Sequence, residues 1–181
     1  AAGGGYSAWN GLALTRWRED PTAGDWGSFF FLRDVRSGKT WSAGRMPSGA
    51  VPDRYAAAFT EEKAEISRSD GSFTTVMDVV VSPEDDVEVR RVSVTNSSLG
   101  AREIELTSYA ELVLAPQAAD VAHPAFSKMF VQTEFVPELE TLIATRRRRS
   151  PGEPEVWIAQ FMLSHGAHTG ALEFETDRAR F

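Results

Sequence analysis

At 181 residues the chain can bury a sizeable core as one domain, and its 42% apolar and 25% charged residues are those of an ordinary globular protein. The absence of cysteine excludes disulfides, thiolate nucleophiles and cysteine-based zinc sites, and three histidines, His123, His165 and His168, leave little for an imidazole metal site. A formal charge of −7 opposes a nucleic-acid surface, which needs Lys and Arg to neutralise phosphates. No apolar run approaches the roughly 18 to 20 residues of a transmembrane helix, and AAGGGYSAWN has neither the basic start nor the apolar centre of a signal peptide. The expectation is a soluble, cytoplasmic piece with no cofactor, no metal and no nucleic-acid partner.

The run Gly3-Gly4-Gly5 lacks both the preceding strand and the GxGxxG or GK[ST] pattern of a phosphate loop, and reads as an approach to YSAW. Tyr6, Trp9, Arg16, Trp17, Arg18, Glu19, Asp20 and Trp26 then interleave aromatics with charges, without periodicity. Aromatic faces stack on sugar rings, and Arg or Asp hydrogen-bond to hydroxyls, so a saccharide or a partner surface could be met here. The plainer alternative is an irregular segment whose tryptophans cover a sandwich.

Next, GSFFFLRDVRSGKTWSAG predicts a β-hairpin that turns at Ser37-Gly38 and returns around Thr40 to Ser42. Alternation over 54–59 and a segment over 64–67 lead to Asp70-Gly71, a strong hairpin dipeptide, while the best helix candidate, 59–66, is short and lies between strand signals. FTTVMDVVVS and VEVRRVSVT flank SPEDD, and a parity switch from Val87 and Val89 to Val92 and Val94 predicts a bulge near Arg90-Arg91. After a turn over 96–100, REIELTSYAELVLA sets Ile104, Leu106, Ala110, Leu112 and Leu114 on one face and is expected to be the longest strand. VWIAQFML, apolar on both parities, predicts a strand buried on both faces, and GALEFET a last short one. Many closely spaced strands and little helix predict an all-β, antiparallel sandwich. The glycine-rich start and the stop within RARF suggest a piece of a longer protein.

Glycoside cleavage needs two carboxyls, or one plus phosphate, but Asp85-Asp86 and Glu61-Glu62 fall in turns and Glu103, Glu105 and Glu111 on the expected solvent parity. The best local acid–base candidates are His123, Lys128 and Glu134 in AHPAFSKMFVQTEF. Against that reading, His123-Pro124 would rigidify a crossover that Phe126, Phe130 and Phe135 anchor by packing. His165 and His168 flank Gly166 in an expected turn, which makes a poor metal site. Arg146 to Arg149 read as a solvated strand end or loop before Ser150-Pro151 rather than a phosphate site.

Five phrases, GGGYSAWNGLALTRWRED, WGSFFFLRDVRSGKTWSAG, VVVSPEDDVEVRRVSVTNSS, REIELTSYAELVLA and AHPAFSKMFVQTEF, together resemble the β-sandwich domain of glycosyltransferase family 36. These proteins are grouped with the inverting phosphorylases of glycoside hydrolase family 94, and the likeness is nearest to the phosphorylase-like region of cyclic β-1,2-glucan synthases. It covers nearly the whole chain, in order. The resemblance implies a super-sandwich of the galactose-mutarotase type, one domain over 1–181, followed in the parent by an (α/α)6 barrel that carries the catalytic acid and the phosphate-binding residues. It therefore implies no enzyme activity in this piece. The parent would be a glycosyltransferase or inverting phosphorylase acting on β-glucan or gluco-oligosaccharides and associated with the bacterial inner membrane.

Implied partners are the sugar, the helical barrel and a homodimer mate. Roles at the sugar entrance or an interface are implied for Tyr6, Ser7, Trp9, Arg16, Trp17, Arg18 and Trp41, and AHPAFSKMFVQTEF becomes a crossover of the family. Two other functions stay open: a self-standing carbohydrate-binding module, and a mutarotase-like epimerase using His123 or a neighbouring carboxylate.

Overall fold

The computed structural model describes all residues except 1–2, 21, 23–25, 167–169, 171, 178–179 and 181, so His168 lies outside the described residues. The chain divides into two compact units, Ala1–Glu111 and Leu112–Phe181. Every strand pairing described within them is antiparallel.

The first unit opens with a hairpin of β1 (Ala8–Trp9) and β2 (Leu12–Thr15), in which Trp9 faces Leu12. Its two loop residues, Asn10 and Gly11, have φ of 47° and 78°, the paired positive values of a type I′ turn that Asn-Gly adopts most readily. β3 (Ser28–Asp34) pairs with β4 (Thr40–Ser42) through the expected Ser37-Gly38 turn, and along its other side with β9 (Ile104–Ala110). A four-stranded meander follows: β5 (Arg54–Phe59), β6 (Ala64–Asp70), β7 (Phe73–Val81) and β8 (Glu88–Asn96), in that order across the sheet.

One core joins the inner faces of the three-stranded and four-stranded sheets: Leu32 and Trp41 from one, Ile66, Phe73 and Met77 from the other, with Ile104, Leu106 and Val92 packed around them. Trp41 is 0% exposed, stacks on Phe73 at 5.4 Å between ring centroids, and donates its indole N–H to Thr75 Oγ1 at 3.2 Å. Each fully buried side chain of this size stabilises the fold by about 1.5–3 kcal/mol. Trp41 is thus a core residue and cannot serve the surface role expected of it. The three-way register Leu32↔Trp41 and Leu32↔Leu106 puts it on the inner face.

A fully enclosed Arg68 sits in the same interior. Its Nε and Nη2 donate to the two carboxylate oxygens of Asp70 at 2.7 Å each, Nη1 donates to the carbonyls of Ser42 (2.8 Å) and Gly44, and Nη2 to that of Ala50 (3.2 Å). Residues 68 and 70 share a face because strand side chains alternate.

Several expectations fail for physical reasons. Residues 59–66 form no helix: Thr60 Oγ1 accepts from the N–H groups of Glu62 and Lys63 and closes a turn between β5 and β6. No bulge occurs at Arg90-Arg91, where the register runs evenly through Val79↔Arg90 and Asp78↔Arg91. The parity switch instead reflects a Val80↔Val89 pair on the outer face, both partly exposed, while Val92 turns inward. The segment 104–115 is two strands, broken at Glu111, so β7 and β8 at nine residues each are the longest.

The second unit holds β10 (Leu112–Ala115), two short helices, α1 (Gln117–Ala122) and α2 (Pro124–Lys128), and a sheet ordered β11 (Val131–Val136), β12 (Thr141–Arg146), β13 (Trp157–Phe161). AHPAFSKMFVQTEF is therefore largely helical at its start rather than loop, and His123 joins the helices: its N–H donates to Ala119 O at 3.2 Å and its carbonyl accepts from Ser127 N–H at 2.9 Å. β13 is not buried on both faces. It edges its sheet, with Trp157 and Phe161 exposed. Residues 172–177 make no strand, although Phe174 stacks on Phe135 at 3.9 Å.

Candidate functional site

The aromatic segment at the start of the chain is assembled by a close backbone contact. Ser28 N–H donates to Gly5 O at 3.0 Å, and a Cβ on Gly27, whose φ is 105°, would stand 1.9 Å from that same oxygen, so only glycine fits. Residues 3–5 thereby run along 26–28. Tyr6 then stacks on Trp17 at 5.1 Å with a 23° interplanar angle, and the next residue, Arg18, lies over the Trp26 ring at 5.4 Å. Tyr6 is 43% exposed, while Trp9, Trp17, Arg18 and Trp26 are half-buried.

The indole N–H of Trp26 is enclosed and has no hydrogen-bond acceptor among the described residues. An unmet buried donor costs about 1–3 kcal/mol, so this N–H is a local penalty within the aromatic cluster. Trp26 stood in the aromatic segment read from the sequence, but nothing there distinguished its indole from the others.

Other expected contact residues are committed to the scaffold. Arg16 pairs with Glu111 at 2.7 Å, their side chains 6% and 12% exposed, and its N–H donates to the Glu111 carbonyl. Glu111 is accordingly not the solvent-facing residue its parity suggested; the break between β9 and β10 turns it inward. Ser7 Oγ donates to Glu88 Oε2 at 2.8 Å, and the Ser7 backbone bridges to Thr15. Glu61, Glu62, Asp85, Asp86, Glu103 and Glu105 are exposed, the last paired with Arg33 at 2.9 Å.

His123, Lys128 and Glu134 fall on three different elements: the helix junction, the end of α2 and an exposed position of β11. Phe126 and Phe130 meet edge to face at 5.0 Å, as packing anchors do. His165 is exposed beside the bend at Gly166, and no group of three or more metal-ligating side chains occurs among the described residues. Among the described residues no helix is long and apolar enough to cross a membrane.

The charge networks are structural. Lys63 bridges Glu65 (2.6 Å) and Asp78 (2.7 Å), and Arg91 reaches Asp78 from the neighbouring strand at 2.7 Å. Hydrogen bonds donated by Lys63 and then Arg91 hold the Asp78 carboxyl below its ordinary range, and donating to Asp78 and Glu65 raises Lys63. Ser37 and Arg102 similarly lower Asp34, and burial raises the Tyr55 phenol.

Antiparallel sheets stacked over an aromatic core, with a second aromatic cluster left at the surface, define an all-β domain of the supersandwich class. The chain belongs to glycosyl hydrolase family 94: the family model described as "Glycosyl hydrolase 94, supersandwich domain" matches residues 1–181. Over its full 181 residues it is 40% identical to the cyclic beta-(1,2)-glucan synthase NdvB of Rhizobium meliloti (strain 1021), covering 6% of that protein. Over 153 residues, 84% of the chain, it is 26% identical to the solabiose phosphorylase of Paenibacillus borealis, covering 19% of that enzyme. The chain thus spans a small part of either relative.

Proposed function

We propose that residues 1–181 are a single non-catalytic supersandwich domain of a longer β-glucan phosphorylase or cyclic glucan synthase. In this reading its N-terminal aromatic surface shapes the approach of gluco-oligosaccharides to a helical catalytic barrel of the parent. The observation that carries the sugar contact is the stacked Tyr6–Trp17 pair beside Arg18 and Trp26, where an exposed ring and a cation adjoin. A sugar ring offers C–H faces for the first and hydroxyl oxygens for the second. The names of the two relatives, a cyclic glucan synthase and a solabiose phosphorylase, support a sugar ligand, and the first of them a glucan.

Calorimetric titration of the chain with β-1,2-linked gluco-oligosaccharides, with cellobiose for comparison, tests the reading. Saturable binding that disappears in Trp17→Ala, with no glucose 1-phosphate formed on adding phosphate, is expected. Binding undiminished in Trp17→Ala, or none at all, would remove the aromatic surface from any role in sugar recognition by this domain.

A further inference from the structure

The basic run at the end of β12 is organised around one ring. The guanidinium carbons of Arg146, Arg147 and Arg149 lie 5.3, 5.4 and 5.6 Å from the centroid of Phe130, which holds any two of them within about 11 Å of each other. That is on the order of the Debye length at physiological salt, so their mutual repulsion is only partly screened. Arg147 N–H donates to Phe130 O at 2.8 Å, tying the run to the ring's own backbone.

Arg146 is consumed internally: Nη1 donates to the carbonyls of Ser127 (2.8 Å) and Val113 (3.1 Å). Arg149 is steadied by Glu153, which accepts from its Nε at 2.8 Å and from its N–H at 2.6 Å. Arg147, Arg148 and Arg149 are all exposed, Arg148 has no ion-pair partner among the described residues, and an open depression is lined by Arg148, Arg149, Ser150 and Pro151. Four of the 19 basic residues of an otherwise acidic chain thus occupy four consecutive positions.

We infer that Arg147, Arg148, Arg149 and the Ser150 hydroxyl form a binding site for a phosphate group, free or esterified. Guanidinium forks match the oxygens of phosphate in paired hydrogen bonds, and a dianion offsets the repulsion that remains among three adjacent cations of which, among the described residues, Arg149 alone is paired, with Glu153. Contact with Phe130 orients the guanidiniums of Arg147 and Arg149 beforehand, which lowers the ordering cost of binding. The ring lies some sixteen residues upstream, so the run looks merely solvated in one dimension. The site is independent of the sugar contact proposed above.

Amide chemical shifts of the isotopically labelled chain, followed during titration with inorganic phosphate at constant ionic strength set by KCl, test this site. Saturable shifts confined to Phe130 and residues 147–153 are expected, with affinity reduced at least about tenfold in Arg147→Gln/Arg148→Gln, because charge-assisted bonds to phosphate are lost. Phe130→Leu, which keeps every charge, should weaken binding as well. A parallel sedimentation arm uses phosphatidylglycerol vesicles against phosphatidylcholine vesicles. Selective capture by the former would identify a lipid headgroup as the source of the phosphate, and phosphate binding without capture a soluble phosphoester. Shifts reproduced by KCl alone, no saturation with either probe, or full affinity in the double variant would overturn the assignment.

Discussion

Replacing Arg68 with methionine keeps most of the side-chain length and removes every donor from the interior. The Asp70 carboxylate, its side chain 1% exposed, loses its counter-charge, and the carbonyls of Ser42, Gly44 and Ala50 lose theirs as partners. Breaking one side of a buried ion pair costs about 3–5 kcal/mol. The Ala50 bond, at 3.2 Å, adds little, and protonation of the stranded carboxyl caps the penalty, so we expect a loss of about 4 kcal/mol. For a chain of this size that is a fall in Tm of roughly 8–16 °C. Urea titration followed by far-UV circular dichroism would show the midpoint drop at unchanged slope. Asp70→Asn in the same background should recover at least about 1 kcal/mol of the loss, because the uncompensated charge is gone. A cost below about 1 kcal/mol for Arg68→Met, or strict additivity of the two substitutions, would refute the account of this pair as a charge clamp.

Two further outcomes follow from other contacts. The depressed Asp78 carboxyl contributes stability that is present above its unfolded pKa of about 3.9 and is lost as pH falls through its lower folded value, while the raised Lys63 contributes below about 10.4 and loses its share as pH rises through its folded value. The melting temperature of Asp78→Asn should therefore trail that of the parent across neutral pH and converge on it in acid; a constant gap down to pH 2 would show that the carboxylate's charge is irrelevant. Gly27→Ala, whose Cβ collides with Gly5 O, should displace residues 3–6, separate Tyr6 from Trp17 and abolish any gluco-oligosaccharide binding by calorimetry, with the four-stranded sheet intact by circular dichroism.

Hairpins joined by short turns were readable from the chain because their information is local. The turns at Ser37-Gly38 and Asp70-Gly71 and the strands of β5 to β8 stand where turn chemistry and alternation put them. Asn10-Gly11 carried an equally strong signal that the aromatic pattern around it obscured. What escaped was decided in three dimensions. The apolar residues of β13 implied burial on both faces, but an edge strand leaves Trp157 and Phe161 exposed. Trp41 and Arg16 shared the composition of a binding segment, yet register and ion pairing drew both inside. The His123-Pro124 segment read as a loop because helices of five and six residues are too short to establish a period. The enclosed N–H of Trp26 and the three cations gathered on Phe130 depend on neighbours distant in sequence, which no spacing rule reaches.

The way Arg68 holds the 42–50 segment also bears on how that segment can diverge among relatives. All three of its contacts there are to main-chain oxygens, and main-chain oxygens are common to every amino acid. Those three contacts therefore set no demand on side chains, which leaves the local ones, Ala43 in the core and Ser42 bonded to Ser48 Oγ, as the segment's own constraints. Residues 68 and 70, in contrast, are bound to each other by charge and tolerate change only as a pair. Two positions of β6 thus fix the path of a loop through its main chain alone.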